Sequence, residues 1–92
     1  MAVDASIKAA NLRHLRRIEG QIRGIAAMIE QDRYCADIMT QVAAARESLR
    51  TVANTLLANH LKHCAAAALA GDALRRDAMI DELTSLMSRL NR

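Results

Sequence analysis

Ile38, Val42, Ala45, Leu49, Val52 and Leu56 recur at spacings of 4, 3, 4, 3 and 4, the stripe of a helix lying against other helices. No Gly or Pro interrupts the chain between Arg33 and Ala68. A helix over that whole stretch would be about 54 Å long at a rise of about 1.5 Å per residue, more than the width of a globule this small. Only another chain could cover much of its surface.

The remainder of the chain is equally helical in pattern. Leu15, Ile18, Ile22, Ile25 and Ile29 recur at 3, 4, 3 and 4 and predict a first helix from about Ser6 to Glu30. Gln31-Asp32-Arg33 breaks that stripe, with Asp32 as the expected N-cap of the long second helix. Gly71-Asp72 marks a second break, and Ile80, Leu83, Met87 and Leu90 predict a third helix from about Ala73 to Leu90. Proline is absent, Gly occurs only at 20, 24 and 71, and Tyr34 is the single aromatic, a composition that argues against strands. The expectation is an all-α fold in one domain, residues 1–92, with three helices and one long central helix.

Ala and aliphatic residues carry most of the 52% apolar fraction. They can bury a helical seam, but a chain of 92 residues built this way has a thin core, so an oligomer is expected. No run of about 18 apolar residues is present, and the start MAVDASIK lacks the basic and then hydrophobic layout of a secretory signal. A cytoplasmic protein without membrane association is expected. In a reducing compartment Cys35 and Cys64 serve as thiols rather than as a disulfide, and at opposite ends of one helix they could not pair within a chain.

Charge is concentrated at one end. Lys8, Arg13, Arg16, Arg17 and Arg23 face only Asp4 and Glu19 within residues 1–24, while residues 25–92 balance eight basic against eight acidic side chains. The formal excess of +3 therefore sits on the first helix, off its apolar stripe. A symmetric oligomer would repeat this basic face, which suits a polyanion such as DNA; for any one arginine, a merely solvated face explains the position as well. No helix-turn-helix, zinc finger or aromatic stacking platform is visible. Nor are paired acids, a nucleophile elbow or a phosphate loop, so an enzyme is not expected.

Three residues carry soft-metal chemistry. His60 and Cys64 stand at i and i+4, one turn apart on one helix face. Taken alone, that spacing is also what a packed cysteine and a surface histidine would show. Cys35 falls in the first turn of the same helix, whose free amides and dipole favour an anionic sulfur ligand. On one straight helix Cys35 and His60 are about 37 Å apart, whereas one ion needs its ligands at about 2.0 to 2.3 Å. Either the three residues are unrelated, or Cys35 of one protomer meets His60 and Cys64 of an antiparallel partner. Two thiolates and one imidazole suit a soft monovalent ion such as Cu(I).

The segments LRRIEGQIRGI at 15–25, RYCADIMTQVAA at 33–44 and ANHLKHC at 58–64 resemble the CsoR/RcnR-type metal-sensing transcriptional repressors, and specifically their copper-sensing branch. The resemblance covers essentially the whole chain. It implies three-helix protomers that form an antiparallel dimer and then a dimer-of-dimers tetramer, and a repressor that holds operator DNA in its apo form and releases it on binding Cu(I). It further implies Cys35, His60 and Cys64 as copper ligands, Tyr34 and Glu82 as residues linked to the histidine ligand, and Arg13, Arg16 and Arg17, with Lys8 behind them, as phosphate contacts. Glu82 follows a segment, 65–80, that carries a small insertion relative to the family.

Departures from relatives bear on the alternatives. Nickel- and cobalt-sensing relatives add a histidine near the N-terminus and usually replace the last cysteine by histidine; here those positions are Val3 and Cys64. Formaldehyde-sensing relatives pair the first cysteine with an N-terminal proline, where this chain has Ala2. His14 stands where the copper branch commonly has arginine. Two other readings stay open: a sensor of reactive sulfur, aldehyde or oxidants using Cys35 and Cys64 as a dithiol, and a plain helical oligomerisation module. Sulfur-sensing relatives usually lack a histidine at the place of His60.

Overall fold

The computed structural model describes residues 3–91, apart from the side chain of Cys64; Ala2 lies outside the described residues. Helix α1 spans Ala5–Glu30 and α2 spans Cys35–His60. The chain then makes one π-helical turn, Leu61–Ala65, continues as the short α3, Ala66–Leu69, and closes with α4, Ala73–Leu90. The described residues contain no strand, so the all-α expectation holds.

The long central rod is present with one correction. It is not a single continuous α-helix to Ala68, because the π turn widens it just after His60. A π turn accommodates one residue more than an α turn and often marks a functional position. The molecule is elongated accordingly, measuring 58 × 28 × 13 Å.

The connection between α1 and α2 corrects a second expectation. Asp32 does not cap α2. It adopts φ 53°, in the left-handed region, and closes α1 instead. The Asp32 N–H donates to the Ile29 carbonyl at 3.1 Å and the Arg33 N–H to the Met28 carbonyl at 3.0 Å. Those two bonds make a Schellman ending, a place glycine usually fills because only it meets no steric penalty there. Aspartate tolerates the conformation better than most residues. The N-cap of α2 is Tyr34, and Cys35 is its first helical residue.

At the other break, Asp72 does cap α4, its Oδ1 accepting from the Arg75 N–H at 2.8 Å. The residue before it must be small: a Cβ on Gly71 would lie 3.3 Å from the Ala68 carbonyl oxygen.

The core lies along the seam between α1 and α2, where Ile18, Ala45 and Val52 are buried. Much of the rest of the apolar surface is not covered, although Leu15, Ile25, Ile38 and Leu83 are partly buried. Val42, Leu49 and Leu56 on α2, Ile22 and Ile29 on α1, and Leu74, Ile80, Met87 and Leu90 on α4 all remain exposed, and α4 buries no residue at all. Each such side chain would contribute about 1.5 to 3 kcal/mol if removed from water. Helix α4 runs back along α2 and leaves a groove of about 670 Å³ lined by Arg46, Leu49, Arg50, Arg89 and Leu90. No helix among the described residues is long and apolar enough to cross a membrane.

Two substitutions test these ends. Asp32→Gly should stabilise the fold by about 0.5 to 1 kcal/mol by relieving the left-handed position, and Asp72→Ala should destabilise it by about 1 kcal/mol through loss of the cap. Urea unfolding at one fixed protein concentration reads both; equal midpoints for Asp32→Gly and wild type would remove the strain from the account.

Candidate metal centre

Cys35 and His60 are the first and last residues of α2, and the helix itself keeps them apart. Its 26 residues are hydrogen-bonded as one α-helix, about 37 Å from one residue to the other at the usual rise. Among the described residues no group of three or more His, Cys, Asp and Glu side chains converges. The two ends of α2 are therefore separate environments.

At the start of α2, Cys35 is an exposed free thiol on the rim of a hollow of about 400 Å³ lined by Ile29, Asp32, Arg33, Ile38 and Met39. Its position as first helical residue places it among amides that have no intrahelical acceptor, and the preceding Tyr34 points largely into solvent, 73% exposed. The expected link between Tyr34 and His60 is not made within the protomer, since the two stand at opposite ends of the helix.

At the far end, His60 is half-buried, and Glu82 of α4 approaches it with Oε1 3.4 Å from Nε2. The approach is close enough for electrostatic contact but too poorly directed for a hydrogen bond, so Nε2 is buried without a hydrogen-bond partner. With Nε2 turned to an acid, Nδ1 is the nitrogen left to accept a metal; a carboxylate behind a ligating imidazole fixes both its orientation and its tautomer. The backbone of Cys64 lies in the π turn, while its side chain lies outside the described residues.

Sequence reasoning overlooked a second contact at this end. His63 Nε2 lies 2.8 Å from Asp4 Oδ2, and the Asp4 N–H donates to Asn59 Oδ1 at 3.3 Å. His63 stood in the ligand run and could have been singled out; nothing in the sequence pairs it with a residue so far upstream.

The basic residues behave as expected of a free face. Lys8, Arg13, Arg16, Arg17 and Arg23 are all exposed, and among the described residues none pairs with a carboxylate. At about 100° per residue they fall within roughly half the circumference of α1, centred opposite the buried Ile18. His14, by contrast, is only partly exposed.

An all-α protomer with a thiol at one end of a long helix, an imidazole at the other, and a clear cationic face on a second helix has the build of a regulator rather than of an enzyme. The chain belongs to the metal-sensitive transcriptional repressor family, whose sequence profile matches residues 7–89. It is 46% identical over 80 residues to the copper-sensing transcriptional repressor RicR of Mycobacterium tuberculosis, an alignment covering 87% of this chain and 83% of that protein. It is 51% identical over 55 residues to the copper-sensing transcriptional repressor CsoR of Bacillus subtilis, covering 60% of this chain but only 54% of that protein. The crystal structure of the copper-sensing repressor CsoR with Cu(I) from Geobacillus thermodenitrificans superposes with a TM-score of 0.85 at 32% identity, covering 100% of this chain and 94% of that one. The resemblance noted in the sequence is thus confirmed, as are the all-α fold of the protomer and the non-enzymatic reading.

Proposed function

We propose that the protein is a Cu(I)-responsive transcriptional repressor, active in the cytoplasm, that binds operator DNA in its apo form and releases it when Cu(I) binds between protomers. The ligands are Cys35 of one chain with His60 and Cys64 of an antiparallel partner. The observation that carries this reading is the placement of Cys35 and His60 at opposite ends of one rigid helix, with an acid already standing behind the imidazole. The copper-sensing relatives and the Cu(I)-containing structure support the choice of metal. Two thiolates and an imidazole make a soft, low-coordination donor set that fits a monovalent ion better than structural zinc, which takes four ligands.

The unburied stripes on α1, α2 and α4 support an antiparallel homodimer that pairs into a homotetramer. In the dimer the hollow beside Cys35 receives the partner's π turn, and Tyr34 comes beside the imidazole it cannot reach within its own chain. Bound Cu(I) supplies a centre that holds the end of one α2 to the start of the other. Glu82 then accepts a better directed hydrogen bond from His60 Nε2, which draws α4 against the rod. Lys8, Arg13, Arg16 and Arg17, repeated by symmetry, contact phosphates, and their spacing across the oligomer decides whether DNA is held.

The test is subunit complementation under anaerobic conditions with a competing Cu(I) chelator. Cys35→Ala and His60→Ala homodimers should each lose tight binding, whereas a dimer of one Cys35→Ala and one His60→Ala chain keeps one complete site and should bind about half the wild-type copper. No recovery in the mixed dimer would sink the shared site. Tight binding that survives Cys35→Ala would do the same and leave the dithiol sensor as the better account. Glu82→Ala should weaken Cu(I) binding by about tenfold without loss of helicity.

For DNA, affinity should fall steeply with salt because phosphate contacts dominate. Arg17→Ala should weaken binding and shrink the log–log salt slope by about one unit. An unchanged slope would place Arg17 outside the interface.

A further inference from the structure

The start of α1 and the π turn are tied together by groups that copper binding does not use. Asp4 holds the N-cap position of α1, yet its side chain makes no capping bond to that helix. An aspartate at an N-cap ordinarily turns its carboxylate to the N–H groups of the first turn. Here the carboxylate goes to His63, at 2.8 Å, and the backbone N–H goes to Asn59, a polar side chain only 5% exposed. Both contacts land on the residue immediately before a proposed copper ligand, Asn59 before His60 and His63 before Cys64.

We propose that Asp4 is a positioning residue that couples the copper-binding turn to the DNA-binding helix; the proposal rests on the sensor reading above. His60 and Cys64 must be drawn toward Cys35 of the partner, and they cannot move without residues 59 and 63, which share their turn. The π turn is where the rod can give. Tightening it to α geometry would carry the residues after the turn by about 100° around the helix axis and about 1.5 Å along it, and His63, inside the turn, by part of that, enough to disturb a 2.8 Å contact. On the other side, the Asp4 carbonyl accepts from the Lys8 N–H at 2.7 Å, so a displaced Asp4 moves the first residue of the basic face. This path leaves from the His63 side of the turn and is separate from the Glu82 contact, which leaves toward α4.

The measurement is the ratio of operator dissociation constants with and without Cu(I), read by fluorescence anisotropy on the full chain, alongside Cu(I) affinity and oligomer size. Asp4→Ala and His63→Ala should each lower that ratio by about three- to tenfold while the protein still binds copper and DNA. The double variant should be no worse than either single one. Asp4→Asn, which keeps an acceptor for His63, should stay within about twofold of wild type. An unchanged ratio in Asp4→Ala overturns the proposal, and so do single effects that multiply in the double variant. A loss in Asp4→Asn as large as in Asp4→Ala also overturns it, because the effect then belongs to the charge near DNA. A wild-type protein whose DNA affinity ignores Cu(I) would instead defeat the sensor reading, and is seen before any variant is made.

Discussion

An α-helix fixes the distance between its ends, and α2 puts Cys35 and His60 at those ends, so no motion of a single chain could bring them to one ion. The same rod is too long and too thinly covered to be satisfied by α1 alone. Its apolar stripe is half in water, and α4 has nothing buried. Under the proposed function, completion of the core and completion of the ligand set would make the same demand, a second chain laid antiparallel. In such an arrangement a ligand at the site acts directly on the interface that holds the protomers in register.

Coupling also needs contacts that differ between states, since a ligand shifts an equilibrium only by its differential affinity. Two interactions at the end of α2 would have that character in the proposed sensor. His60 Nε2 is buried near Glu82 without a formed hydrogen bond, and a buried donor left unpaired costs about 1 to 3 kcal/mol. A small rotation of the imidazole on ligation would recover that energy and pull α4 inward. The contact between Asp4 and His63 is the opposite case, already close at 2.8 Å, and so available to be lost. Forming a hydrogen bond toward α4 and breaking a close polar contact toward α1, both about a single π turn, would give a local event two directions in which to spread.

Much of this was legible in the residues. The 3,4 periodicities located all three stripes and the end of the third helix, and Gly71-Asp72 the break before it, because those features are local and follow from side-chain pattern. The separation of Cys35 and His60 was also legible, since it needs only the rise of a helix. Asp32 misled for a physical reason: aspartate suits an N-cap and a left-handed helix ending alike, and only the path of the chain decides between them. The π turn left no signature in Leu-Lys-His-Cys-Ala, every residue of which is at home in an α-helix. The bond from Asp4 to His63 was beyond reach because it depends on how α1 docks along α2, not on sequence spacing. The fold was thus readable from local chemistry, and the wiring around the site was not.

The absence of a groove-reading motif is consistent with how such a molecule could let go of DNA. The cations of α1 lie on a broad arc facing away from the core, with none tied up by a carboxylate among the described residues. Contacts of this kind go to phosphates and fix position rather than read bases. Their contributions compound: each phosphate neutralised releases counterions, and a face repeated on several protomers must match the spacing of the duplex on all of them at once. Such a surface need not be covered or unfolded to be switched off. A shift of a few ångströms between protomers, or of the start of α1 against its own α2, takes several cations out of register together, and the affinity falls by the product of the individual losses. The proposed metal site, shared across the protomer boundary, would stand where that register is set.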